Sequence, residues 1–184
     1  MEVHANKGQL LVSEPFLNES DFKRSVVLLV EHGTKGSVGL ILNKPSDLVL
    51  GEILPDFPDF DAPVFIGGPV EQDRLSYIHK LGKKLKGSKE ICKGVFWGGN
   101  FKALKLLIDT KQVTPDEIRF FVGYAGWDAS QLDAELDEKA WIVTKASPNF
   151  IFNKNPNDLW RVVLNSMGAR YSIFASLPDD LSMN

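Results

Sequence analysis

Cysteine is nearly absent from this chain: its 184 residues include one, Cys92. A lone thiol forms no intrachain disulfide, and the sequence shows no basic start, apolar stretch and small-residue cleavage site in series, so a reducing cytoplasm is expected. Long apolar runs are missing too. The longest, Val26 to Val30, falls far short of the ~20 residues a membrane-spanning helix needs, and no membrane partner is expected. Nor is there a surplus of positive charge. With 24 acidic residues against 21 basic ones, the chain carries no field that gathers phosphate backbones, which disfavours specific DNA binding.

The familiar catalytic signatures are also lacking. There is no Gly-x-Ser-x-Gly elbow, no His-Glu-x-x-His, no phosphate-loop lysine and no spaced-glycine dinucleotide fingerprint. His4, His32 and His79 are scattered, and Cys92 has no second cysteine with which to hold zinc. No catalytic residue, metal site or cofactor is therefore assigned. Lys89 and Lys93 flank Cys92, and positive charge favours a thiolate, although lone cysteines are more often small buried apolar groups. Asp128, Asp133, Glu135, Asp137 and Glu138 lie in or beside one helix with charges on several faces, a pattern of solvent exposure rather than of a site.

What is present is 43% hydrophobic sequence, enough for one substantial core, and a single domain over 1–184 with loose ends at 1–7 and 178–184 is expected. Gly8 to Val12, Ser25 to Glu31 and Val38 to Leu42 read as strands, the last two joined by a hairpin at Gly33–Gly36. Ser46 and Asp47 suggest a cap for a short helix through Leu54. Val64 to Ile66, Arg74 to His79 and Glu90 to Trp97 follow as strands. Lys80, Lys83, Lys84, Lys86, Lys89 and Lys93 around the last turn read as a solvated, lysine-guarded edge.

Asn100 then caps a helix with Phe101, Leu104, Leu107 and Ile108 at helical spacing, and Ile118 to Tyr124 returns as a strand. Asp128 and Gln131 stand at capping-box spacing for a helix over about 129–138. Trp141 to Ala146 is a strand. Asn155-Pro156 opens a helix carrying Leu159, Trp160, Val163, Leu164 and Met167, stopped by Gly168, and Tyr171 to Ala175 reads as a closing strand.

Val64-Phe65-Ile66-Gly67-Gly68 and Val95-Phe96-Trp97-Gly98-Gly99 repeat one another as strand-to-glycine turns. The second precedes the helix capped by Asn100, where free backbone amides favour anions, so Gly98, Gly99 and Asn100 form the candidate ligand site, with a plain tight turn as the alternative. Gly67-Gly68-Pro69 has no helix signal after it and is read as a strained connection or a binding surface. Tyr124, Gly126 and Trp127 combine a glycine turn with large apolar rings, either sealing a sheet end or lining a partner groove.

Gly8-Gln9-Leu10-Leu11, Gly39-Leu40-Ile41-Leu42-Asn43-Lys44-Pro45, Gly67-Gly68-Pro69-Val70 and Gly123-Tyr124-Ala125-Gly126-Trp127 together make the chain resemble the YqgE/AlgH family of bacterial proteins from about Gly8 to Phe174. The resemblance implies an α+β fold whose strongly bent, mostly antiparallel sheet forms a partial barrel with flanking helices, and it implies no established activity. Family members usually carry Gly-Gln-Leu-Glu where this chain has Ser130-Gln131-Leu132-Asp133. The family's second name came with a proposed role in regulating transcription, but the helices starting at Asn100 and Asn155 are too apolar for a DNA-reading helix.

Two readings follow. The first is a non-enzymatic binding or regulatory protein that docks a partner on its glycine and aromatic turns. The second is an enzyme acting on a small anionic metabolite held near Gly98, Gly99 and Asn100, with Asp128 or His32 as general base.

Overall fold

The structure is a computed structural model that describes residues 4–179. Its framework is one mixed sheet of nine strands: β1 (Gln9–Ser13), β2 (Val26–Gly33), β3 (Gly36–Ile41), β4 (Val64–Ile66), β5 (Val70–His79), β6 (Lys89–Cys92), β7 (Val95–Trp97), β8 (Ile118–Trp127) and β9 (Trp141–Lys145). Six helices flank it: α1 (Leu50–Ile53), α2 (Phe101–Asp109), α3 (Gln131–Asp137), α4 (Pro148–Ile151), α5 (Leu159–Ser166) and α6 (Ala169–Ala175). The strand order is β6-β7-β5-β8-β3-β2-β1-β9, with β4 beside β8, and every pairing is antiparallel except β4 with β8.

Among the described residues β6 and β9 remain free ends, so the sheet bends without closing into a barrel. The β6 end approaches the segment before β1. Lys7 Nζ donates to Glu90 O at 3.1 Å, and Gly8 packs on the Ile91 carbonyl, where a side chain would not fit.

The two-residue alternation of a strand explains how one sheet serves three clusters. In β2, Val26, Leu28 and Val30 face the inner core while Val27 and Leu29 face an outer one. This is why Val26 to Val30 is an unbroken apolar run: both of its faces are buried. The inner core is covered by Leu159, Trp160, Val163 and Leu164 of α5. Trp160 is 2% exposed and donates its indole N–H to Ser13 O at 3.0 Å; its truncation to alanine would cost about 3–5 kcal/mol. On the outer face α2 contributes Leu104 and Ile108 at one end of β8, and α3 contributes Leu132 and Leu136 at the other.

Several local expectations are corrected. Tyr171 to Ala175 is helix, not strand: α6 restarts at Gly168, and Tyr171 and Phe174, three apart, pack on the inner core with helical rather than alternating period. Glu90 to Trp97 is broken at Lys93-Gly94 into β6 and β7, with Gly94 at φ +80°. Asn155 caps nothing through its side chain, which donates to Asp158 Oδ2 at 2.8 Å, and a 3-10 turn at Pro156–Asp158 precedes α5. Ser46 donates to Val64 O at 2.7 Å, tying the loop to β4, while α1 begins later at Leu50 without a side-chain cap.

In the described parts of the two ends His4, Asn6, Lys7, Pro178 and Asp179 are exposed, with a few anchoring contacts. Ala5 is 3% exposed, and the guanidinium of Arg24 donates to the carbonyls of Leu177 and Pro178 and to Asp179. The remaining residues expected to be loose, 1–3 and 180–184, lie outside the described residues.

Candidate functional site

Midway along the sheet β5 and β8 part company. Val70 pairs with Tyr124, but the next pair is Leu75 with Val122, so Glu71 to Arg74 bulge out of β5. Glu71 adopts φ +47°, and Arg74 Nη1 closes the bulge on Glu71 Oε2 at 2.7 Å. Gly123, at φ +70°, is the matching irregularity in β8, and a Cβ there would overlap the Gly68 carbonyl.

This parting opens a hollow of about 250 Å³ lined by Val38, Leu40, Arg74, Leu75, Ser76, Trp97, Gly123 and Tyr124. A second hollow of about 360 Å³ adjoins it and shares Val38 and Tyr124; Val70, Gly126 and Trp127 line it together with Gly36, Ser37 and the charged Glu31, Lys35 and Asp128. Together they form one groove with Tyr124 at its centre. Gly126 is exposed, and its missing side chain leaves room for the Tyr124 ring, whose Cε2 would lie 3.3 Å from any Cβ.

Three of the six residues expected to form an interaction surface are occupied in packing. Gly67 and Gly68 are buried where β4 wedges between β3 and β8: Gly67 N–H donates to Val122 O and Gly67 O accepts from Ile41 N, both at 2.8 Å. Trp127 is 6% exposed, although it is among the residues that line the second hollow. Pro69 is exposed, Gly126 is exposed, and Tyr124 is half-buried.

Trp127 also belongs to a clamp that the sequence did not reveal. Glu135 Oε2 accepts the indole N–H of Trp127 at 2.8 Å and that of Trp141 at 2.7 Å, while Oε1 accepts from Gln131 at 3.0 Å. The two indoles meet edge to face with centroids 6.0 Å apart, and Phe22 packs on both. Hydrogen bonds to an ionised group contribute about 1.5–3 kcal/mol each, so Glu135 is a structural pin rather than a solvated charge. Gln131 completes half of the expected capping box by accepting from Asp128 N at 3.0 Å. The helix entry explains the family's glycine: Ser130 sits at φ +64°, a left-handed conformation that costs a side-chain-bearing residue energy.

The turn at Gly98-Gly99-Asn100 is a hub of internal hydrogen bonds. Gly98 N donates to Tyr77 O at 2.9 Å and Asn100 N to Lys86 O at 2.8 Å, so two of the amides expected to meet an anion already have partners. Asn100 Oδ1 caps α2 by accepting from Ala103 N at 2.9 Å, as its sequence position implied. Gly99 O accepts from the Tyr77 hydroxyl and Gly98 O from His79 Nε2, each at 2.8 Å. His79 is fully buried, stacked on Phe96, and its Nδ1 accepts from Leu81 N, which fixes the neutral Nε2–H tautomer. Burial lowers the His79 pKa, partly offset by its bond to Gly98, and burial raises that of Tyr77.

The groups that an enzyme would combine are kept apart. Gly98 is bonded to His79, which pairs with Ile118 at the start of β8, whereas Asp128 follows Trp127 at its end. Ten residues of strand separate these ends, about 30 Å. His32 lies near Asp128 rather than near Gly98, with Nδ1 2.8 Å from Ser37 Oγ across the β2–β3 hairpin. At Cys92 burial, then the charge of Glu90, raises the thiol pKa, opposing the thiolate that the neighbouring lysines suggested. Burial likewise lowers Arg119 to about 10; it still carries its charge at neutral pH, with its guanidinium 4.7 Å from the Phe65 ring.

Of the groove residues, Val38, Val70, Arg74 and Trp97 were not singled out from sequence. Trp97 carried a signal, since it stands inside the repeated strand-to-glycine motif; Arg74 carried none, because only the bulge in β5 brings it to Tyr124.

Known proteins match this chain over nearly its full length. A family model described as AlgH-like matches residues 10–172. A UPF0301 protein of Cytophaga hutchinsonii is 41% identical over 179 residues, covering 97% of this chain and 98% of that one. A UPF0301 protein of Chlorobium limicola is 41% identical over 177 residues, covering 96% and 95%. The solution structure of the AlgH protein from Pseudomonas aeruginosa superposes with a TM-score of 0.74 at 28% identity, covering 97% and 98%. The crystal structure of protein DIP2367 from Corynebacterium diphtheriae gives a TM-score of 0.80 at 23% identity, covering 96% and 95%, and so shares the fold.

Proposed function

We propose, from the premise that the chain belongs to the AlgH-like family, that it is a non-enzymatic binding protein whose docking surface is the groove around Tyr124. Membership brings a fold and no assigned reaction. The observation that carries the proposal is the lining of that groove: Val38, Leu40, Val70, Leu75, Trp97 and Tyr124 give it apolar and aromatic surface, interspersed with Ser37, Ser76 and the charged Glu31, Lys35, Arg74 and Asp128. Such a surface fits a short apolar segment of a partner protein, with aromatic side chains as anchors. The bulge in β5 and the glycines at 123 and 126 keep it open.

The partner chemistry follows from the same wall. A small anion would meet Arg74 already bound to Glu71, and at the Gly98 turn it would meet amides already bonded to Tyr77 and Lys86. Duplex DNA would meet a chain of net charge −3 whose helices α2 and α5 bury their apolar stripes in the cores. A regulatory output through protein contact, in the reducing cytoplasm that one cysteine suits, completes the proposal. No helix among the described residues is long and apolar enough to cross a membrane.

Selection of peptides from a random display library on the folded protein tests it. Peptides so recovered should be apolar and should lose binding to the Tyr124→Ala and Val38→Asp variants. Peptides that bind both variants as well as the parent would overturn the assignment.

A further inference from the structure

The two free ends of the sheet differ in how they are protected. The backbone of β6 is shielded by Lys7, whose ammonium takes the Glu90 carbonyl, and exposed lysines flank it at 89 and 93. Charged and covered edges of this kind discourage strand addition. Among the described residues β9 has neither device: it pairs with β1 on one side only, and its sole charged residue is Lys145 at its end.

The alternation of hydrogen bonds tells which of its groups point outward. Glu14 N donates to Ala140 O, and Ser13 N donates to Ser25 O on the other side of β1. Even-numbered residues of β1 therefore bond to β9, through Ile142 and Thr144, and the N–H and C=O of Trp141, Val143 and Lys145 face away from the sheet. A groove of about 760 Å³, lined by Phe16, Leu17, Tyr171 and Phe174 among others, keeps the first half of this edge clear of α6. Phe16, 54% exposed, stands beside it.

We propose that β9 is the pairing edge for a second copy of this chain, the two β9 strands running antiparallel about a two-fold axis at Val143 and joining two sheets into one. Charge complementarity selects this occupant. In that register Val143 faces its own counterpart, and Trp141 of each copy faces Lys145 of the other. Trp141 is bonded to Glu135 of α3, a helix whose charged residues are Asp133, Glu135 and Asp137, followed by Glu138 and Lys139, so acids outnumber bases by four to one along this stretch. Each copy thus delivers its Lys145 to the acidic helix of the other, and the two contacts are equivalent, as an isologous interface requires. The outward main-chain groups of the three facing pairs satisfy one another.

Sedimentation equilibrium of the full chain over a range of concentrations tests the pairing. Two-copy species are expected. Lys145→Glu, a change at an exposed position whose fold circular dichroism checks, should weaken association at least about tenfold by setting like charges together. Adding Glu138→Lys to it should restore association. Val143→Pro, which removes an outward N–H without touching a bond to β1, should also give single copies. A single-copy protein at every concentration, or two-copy species indifferent to Lys145→Glu and Val143→Pro, would overturn the proposal.

Discussion

The two Val-Phe-x-Gly-Gly turns, alike in sequence, are held by different forces. After β4, Gly67 and Gly68 are buried because the backbone of β8 passes so close that no Cβ fits: a side chain at Gly67 would overlap Gly123 O, and one at Gly68 the Tyr124 carbonyl. After β7, Gly98 has open space around its α-carbon and is glycine because it adopts φ +66°. The first turn is a packing joint that shapes the Tyr124 groove from behind. The second is a conformational switch from strand to helix, pinned by Tyr77 and His79. The two causes mix within each pair, since Gly68 also has φ +158° and Gly99, at φ +126°, would place a Cβ 2.8 Å from Leu85 Cγ; only the tertiary structure shows which cause acts at which glycine.

The largest expected effect breaks the first turn. Gly68→Ala should destabilise the protein by about 3 kcal/mol or more, since the clash is with backbone that β5 and β8 hold in place; a urea midpoint measures it. A midpoint like that of the parent would mean that β4 and β8 can separate freely.

An intermediate effect is expected from the histidine behind the second turn. Because burial lowers the His79 pKa below its ordinary 6.5, the folded state prefers the neutral ring. Stability should be full above about pH 6.5 and fall as pH drops from there through the lowered folded-state value. Comparing urea midpoints at neutral and mildly acidic pH for the parent and for His79→Phe isolates the contribution: the variant should lose that part of the pH dependence. An identical profile in both would show that His79 ionises without cost.

The smallest effect belongs to Gly98→Ala. With nothing near a new Cβ, it should cost only the left-handed backbone penalty, about 1–2 kcal/mol, again by urea midpoint. A loss as large as that of Gly68→Ala would erase the distinction between the turns.

These cases show where the sequence is legible. Local signals carried far: the run Val26 to Val30 announced a strand buried on both faces, Asn100 announced its cap, and the apolar stripe at Leu159, Trp160 and Val163 announced the helix over the inner core. What stayed hidden depends on residues distant in the chain. Glu135 reads as one charge among several until Trp127 and Trp141 converge on it from two strands. The β5 bulge, with Glu71 at positive φ, is set by the register against β8 and not by Glu71-Gln72-Asp73-Arg74 itself. Tyr171 to Ala175 looked extended because its β-prone residues are helical only in company with Trp160 and the inner core.

Amide chemical-shift mapping compares the groove with the Gly98 turn in one titration. A peptide recovered on the parent protein is added to the ¹⁵N-labelled chain, followed in a parallel sample by inorganic phosphate. The peptide should move Val38, Val70, Tyr124 and Gly126 while Gly98, Gly99 and Asn100 stay still, and phosphate should leave both sets in place. Movement of Gly98, Gly99 and Asn100 with a silent Tyr124 would contradict the account and return the binding site to the helix start.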